Sequence, residues 1–350
     1  VVTSSIGIDI GGANLKYASR NGITRSVDFP LWLRSDQLAG QLIDDLAQLP
    51  TPGRLLITMT GELADCFLDR AQGVEEIIQQ ANQAASFLGV PLTIYGVGNR
   101  WFTADEAMGN VECIAAANWH ALASFIGGSC VETSDSTAGE LVKEHRHALL
   151  VDIGSTTTDL IPIFAGQVAT QARTDFDRLR EGSLVYVGGE RTPVCTLVDR
   201  LEWNGQSVPV MREVFSTIDD VRLLLGYSNE SDSCETADGK PRDLFHAANR
   251  LARMIGLGHR EVSVENARQL AGQVHLAAKR LIEEGFTTLT QQWTWLDRTT
   301  VIVSGHVNDL LPGIATNQPR LLSEELGEAL SRAAPAYALT RLWESRACDA

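Results

Sequence analysis

Apolar positions along the chain fall into two periods. Short runs bounded by Gly, Asp or Pro read as buried strands: Ile6 to Ile10, Arg54 to Met59, Leu92 to Tyr95, Leu149 to Ile153, Leu160 to Phe164 and Thr299 to Ser304. Longer stretches carry apolar residues at helical spacing: Gly73 to Leu88, Val111 to Ile126, Asp243 to Ile255, Ser263 to Glu284, and most of the chain from Ser323 onward. Thr24 to Leu33, Gly182 to Val187 and Pro209 to Phe215 read as further strands, and Asp36 as the cap of a helix reaching Gln48. Strands alternating with helices predict an α/β protein. Ser228 to Asp243 fits neither period; its length marks it as a candidate lid.

Two stretches repeat one arrangement. Ser5 to Tyr17 runs strand, Asp9-Ile10-Gly11 turn, strand; Leu149 to Ile163 runs strand, Asp152-Ile153-Gly154 turn, strand. A lone turn of this kind is common in hairpins. Two copies in matching context, roughly 140 residues apart, are too distant for a solenoid and predict two similar lobes facing one cleft. Small residues at Gly11, Gly12 and Gly154 let backbone approach an anion, and Asn14, Lys16, Ser155, Thr156 and Thr157 offer donors to it. Asp9, Asp152 and Asp159 are placed to hold a hydrated divalent cation or to orient a nucleophile.

Other candidates lie at strand ends, where open α/β sheets carry their ligands. The strand over Arg54 to Met59 delivers Glu62 and Asp65, which share a face if a helix starts there; acidic residues also suit the first turn of a helix for its dipole. Arg178, Arg191 and Thr192 could grip an anionic substrate, or the arginines could form surface ion pairs with Asp177 or Glu190. Ser304-Gly305-His306 follows a strand and would let a flat or charged ligand lie on the backbone. Alanine-rich faces in Val111 to Ile126 and Ala333 to Leu342 predict two crossing helices that link the lobes, with Trp119 in the core and His120 at the surface. Trp101 and Phe102 read as core packing before pocket lining. The expected division is a first lobe over 1–127, a second over 128–328, and a C-terminal helix over 329–350 returning to the first.

Composition narrows the function classes. The chain has 350 residues, 44% hydrophobic and 21% charged, an ordinary globular mix with room for two cores. A formal net charge of −15 argues against nucleic acid, whose phosphates need a basic face. No run approaches the ~18 apolar residues of a membrane span. Val1 to Ser5 leads straight into a strand, so no signal peptide is expected. Six scattered cysteines without close pairing predict reduced cytoplasmic thiols, not a disulfide frame or zinc site. His145 and His147 flank Arg146 in what reads as a solvated turn, not a metal site.

The order of parts resembles the actin-like, sugar-kinase and heat-shock ATPase superfamily, and more closely its hydantoinase/oxoprolinase-related branch. Within that branch it resembles the tetrahydromethanopterin-linked one-carbon transfer proteins. The segments that carry this are Gly7 to Lys16, Met59 to Cys66, Val151 to Ile163, Arg191 to Val194 and Glu235 to Pro241. The resemblance implies two ribonuclease-H-like (actin-like ATPase) lobes around a central cleft. It also implies a transferase of methanofuran-type cofactor biosynthesis acting on small molecules. That enzyme would join an (aminomethyl)furan methyl diphosphate to a tyramine-type phenol and release diphosphate. Mg²⁺ on Asp9 and Asp152, phosphate contacts from Lys16 and both turns, and proton removal by Glu62 would follow. Ser304 and Gly305 resemble an adenosine site, so an ATP-dependent kinase or amide-activating enzyme is the alternative, and a non-catalytic nucleotide sensor a third.

Overall fold

A computed structural model of the chain describes residues 5–128, 147–305, 307–314 and 319–346. Ser129, the His145–Arg146 pair and His306 lie outside the described residues.

Two sheets form the frame. The first contains β1 (Ser5–Ile10), β2 (Asn14–Ser19), β3 (Thr24–Asp28), β4 (Arg54–Met59), β5 (Leu92–Gly96) and β6 (Arg100–Phe102), in the order β3-β2-β1-β4-β5-β6. The second contains β7 (Ala148–Ile153), β8 (Thr158–Phe164), β9 (Gln167–Val168), β10 (Leu184–Val185), β13 (Thr300–Gly305) and β14 (Arg320–Leu321), in the order β10-β8-β7-β13-β14 with β9 on β8. Between them in sequence, β11 (Arg200–Trp203) and β12 (Gln206–Pro209) form a separate hairpin. Each sheet has the same heart: an antiparallel hairpin, β1–β2 or β7–β8, whose first strand also pairs in parallel with a later one, β4 or β13.

The principal helices are α1 (Leu38–Leu46), α2 (Arg70–Leu88), α3 (Asn118–Gly127), α4 (Asp175–Glu181), α5 (Ile218–Leu225), α6 (Leu244–Arg253), α7 (Val264–Gln292) and α8 (Ala334–Ser345). They make three apolar cores. Ile6, Ile8, Ile10, Leu55 and Ile57 pack outward under α1 and α2. Leu149, Val151, Ile153, Val301 and Val303 pack outward under α5, α6 and α7. The third core lies between the sheets, where Leu56, Leu150, Ile161 and Ile302 meet α3 and α8. The two alanine-rich helices therefore do cross, as the shared layer of both lobes. The crossing is tight: a Cβ at Gly7 would collide with the Ala336 carbonyl of α8.

Several expectations need correction. The helix expected over Val111 to Ile126 is two pieces, Val111–Ile114 and α3, broken at Ala116, whose φ is 49°. His120 is buried, not exposed; its ring bonds the Tyr95 hydroxyl at 2.7 Å and receives the Gly98 N–H at 3.0 Å. Burial pushes its pKa down to about 4. Asp36 lies inside a 3-10 turn, and α1 starts at Leu38. Glu62 and Asp65 share no helix, because α2 begins only at Arg70, capped by Asp69. No strand forms over Pro209 to Phe215 beyond Pro209 itself, and β10 keeps only two residues of Gly182 to Val187.

Candidate active site

The strand pleat builds the site. Side chains alternate faces along a strand. In β1, Ile8 and Ile10 point to the outer core, so Asp9 between them must face the other lobe. In β7, Val151 and Ile153 point outward, so Asp152 must face inward too. Register extends the rule to the neighbours: Lys16 and Thr58 sit across from Asp9, and Asp159 and Ser304 sit across from Asp152. Three side chains from each sheet thus meet at one level of the cleft. Asp9 and Asp152 lie within electrostatic reach of each other, and each lies within reach of Lys16 and Asp159.

The two turns match as well. The Gly11 N–H donates to the Asn14 carbonyl at 3.0 Å and the Gly154 N–H to the Thr157 carbonyl at 2.9 Å. Among the described residues, the N–H groups of Gly12, Ala13, Ser155 and Thr156 donate to no backbone or side-chain acceptor. Such successive free donors form an anion nest. A side chain at Gly12 would enter open space, so that nest is open to the cleft. A loop braces the second turn: the Gly189 N–H donates to the Gly154 carbonyl, and those of Glu190 and Arg191 to the Ser155 carbonyl, each at 2.9 Å. Thr192 holds that loop by accepting the Gly188 N–H at 2.9 Å.

Burial dominates the electrostatics. It raises the proton affinity of Asp9, against the Lys16 ammonium and the Asn118 amide, and Asp9 Oδ1 has no hydrogen-bond partner. Burial and the nearby Asp159 carboxylate push Asp152 up to about 6, against Lys16 and the Ser304 hydroxyl. Two desolvated carboxylates facing each other, one with an orphaned oxygen, suit a divalent cation, since Mg²⁺ takes one or two protein carboxylates plus water and phosphate oxygens. Among the described residues, no group of three or more His, Cys, Asp or Glu is arranged to hold a metal by itself.

A second cluster adjoins the first. Glu62 is 1% exposed, with Oε2 unpartnered. Burial lifts it to about 7; Asp175 adds to the rise, and its own N–H, Arg70 and the Ala116 N–H oppose it. The break in the helix therefore has a use, because left-handed Ala116 turns its amide toward Glu62. Asp175, itself raised by burial, is flanked by Arg178 and Arg70. Tyr186 faces Asp175, Glu62 and Arg191, and the Arg191 guanidinium stacks 4.8 Å over Trp32 of the first lobe.

The sequence candidates thus divide. Asp9, Gly11, Gly12, Asn14, Lys16, Asp152, Gly154, Ser155, Thr156, Thr157, Ser304 and Gly305 lie on the two hairpins and the adjoining strand end. Glu62 and Arg191 belong to the adjacent cluster. Arg178 is 2% exposed, with one nitrogen held by Asp159 and the Ser183 carbonyl and its plane 4.3 Å over Trp119. Sequence reasoning missed Trp32, Thr58, Arg70, Asn118 and Tyr186 and gave Asp175 no role. Only Thr58 carried a signal, its register match to Ser304.

A family model described as hydantoinase/oxoprolinase matches residues 56–305. The chain belongs to this family. A relative from Methanocaldococcus jannaschii, described as (4-{4-[2-(gamma-L-glutamylamino)ethyl]phenoxymethyl}furan-2-yl)methanamine synthase, is 31% identical over 97% of this chain and 98% of its own. A relative of the same description from Methanococcus vannielii is 28% identical over 56% of this chain and 90% of its own. Among solved structures, nucleotide-free acetone carboxylase gives a TM-score of 0.47 at 12% identity, covering 93% of this chain and 51% of its own, so this chain spans about half its length. MreB 5 of Spiroplasma citri bound to AMPPNP gives 0.47 at 13% identity, covering 100% and 99%. Among the described residues, no helix is long and apolar enough to cross a membrane.

Proposed function

We propose that this family member is a transferase of methanofuran-type cofactor biosynthesis. It joins an (aminomethyl)furan methyl diphosphate to the phenol of a tyramine-type acceptor and releases diphosphate. The product named for the relatives is a phenoxymethylfuran, an ether whose phenol oxygen sits on a furylmethyl carbon. The observation that carries the reading is Glu62: a buried carboxylate with a proton affinity near neutrality, beside a cleft whose two turns leave N–H groups without acceptors.

The steps balance. The bond between the furylmethyl carbon and the diphosphate oxygen breaks, and its electron pair leaves with diphosphate. The free N–H groups of Gly12, Ala13, Ser155 and Thr156, with Lys16 and the turn hydroxyls, receive the growing charge. Asp9 and Asp152 would hold Mg²⁺, which supplies further positive charge to the leaving group. The phenol oxygen then bonds to the carbon, and its proton passes to Glu62. Arg191 and Tyr186 of the second lobe flank the acceptor, with Trp32 of the first lobe beneath Arg191.

The test offers the furan diphosphate and a tyramine-type acceptor and follows diphosphate. Release is expected to need Mg²⁺ and to fall about 100-fold or more in Asp9→Asn and Asp152→Asn. Wild-type rates in both variants would remove the metal-holding role given to the two aspartates. ADP formation from ATP and an acceptor, without the furan diphosphate, would favour the kinase alternative.

A further inference from the structure

A cavity of about 440 Å³ opens between the lobes at the foot of α4, away from the aspartate pair. Glu112 of the first lobe forms one side; Gln171, Arg173, Thr174, Arg180 and Glu181 of the second form the other. Its charges are mixed and largely unspent. The side chains of Glu112, Arg173 and Gln171 make no hydrogen bond or ion pair among the described residues, and Arg180 reaches Asp177, which also lines the cavity, only at 3.9 Å. Glu181, by contrast, is fixed by the hydroxyls of Thr170 at 2.5 Å and Ser183 at 2.6 Å.

Two strips of chain tie this cavity to Glu62. Glu112 lines the cavity, and four residues on Ala116 turns its N–H to Glu62. Arg173 and Thr174 line it, and the next residue, Asp175, faces Glu62 and Tyr186. A molecule with its reactive oxygen at Glu62 and its tail between these strips would end in the cavity. We propose that the cavity is a subsite for the α-amino-acid end of the acceptor, a carboxylate and an ammonium on one carbon. Arg173 and Arg180 take the carboxylate, and Glu112 with Glu181 takes the ammonium. This rests on the transferase reading, since the product named for the relatives carries a γ-glutamylamino group at the far end of its phenol.

The test measures binding of γ-glutamyltyramine and of plain tyramine by calorimetry, with turnover in parallel. Wild type is expected to bind the glutamyl compound at least tenfold more tightly. Arg173→Ala and Glu112→Gln, both at exposed positions, are expected to cut that preference severalfold and leave tyramine unchanged. Equal binding of the two compounds by wild type, or an undiminished preference in both variants, overturns the subsite. Preference lost in the variants without diphosphate release from wild type upholds the subsite and refutes the transferase reading.

Discussion

Glu62→Gln separates function from stability. Glu62 lies at an ordinary 4.5 when solvated and is lifted to about 7 in the folded chain. Folding therefore tightens its hold on a proton. The stability this gives is fully present below pH 4.5, is lost as pH rises through about 7, and does not change above that. A shift of this size is worth about 3 kcal/mol, at about 1.4 kcal/mol per unit. Gln mimics the protonated acid and does not ionise. The variant should match wild type near pH 4.5 and exceed it by about 3 kcal/mol at pH 8. With unfolding entropy near 2.1 cal/mol/K per residue, that is about 4 °C in thermal midpoint for a chain of this length. Thermal melts by circular dichroism at the two pH values, beside the rate of diphosphate release, form the assay. The wild-type rate should rise with pH through about 7 as Glu62 ionises, and the variant should lose that limb along with most of its activity. A midpoint difference independent of pH would refute the burial argument; an unchanged pH–rate profile would refute the proton transfer.

Gly188→Ala should act through the second turn, because its Cβ would collide with the backbone of Ser155 and Thr156. We expect at least a tenfold rise in KM for the diphosphate substrate, read from initial rates, with KM for the acceptor unchanged. Gly7→Ala should push α8 off β1 and cost about 1–3 kcal/mol, the usual range for overpacking. A lowered thermal midpoint is the readout, and an unchanged one would deny the close crossing at Ala336.

The sequence carried the two hairpins because a pleat has period two. Once Ile8 and Ile10, or Val151 and Ile153, are assigned to a core, the acidic residue between them has one face left. It did not carry the break at Ala116. Alanine is the best helix former, and nothing local in Ala115 to Ala117 opposes a continuous helix. The opposing partner is Glu62, far away in sequence. His120 was misplaced for the same reason, since Tyr95 and Gly98 satisfy its ring from β5 and the turn after it. Trp32 and Tyr186 were invisible because each gains meaning only when the lobes face each other.

The pseudo-equivalent positions differ where the proposed chemistry needs asymmetry. Lys16 and Asp159 occupy the same register point, opposite Asp9 and opposite Asp152. One lobe therefore presents a cation beside its aspartate, and the other a second acid tied to buried Arg178. A leaving diphosphate would place its negative charge toward Lys16 and the open nest at Gly12. A divalent cation held between Asp9 and Asp152 would feel Asp159 as a further negative charge. The furylmethyl carbon would then lie on the Arg178 side of the cleft, where Asp159, Arg178 and Asp175 lead to Glu62. In the proposed reaction electrons would leave toward the hairpins and the proton toward Glu62, so the two charges formed would separate into opposite parts of the cleft.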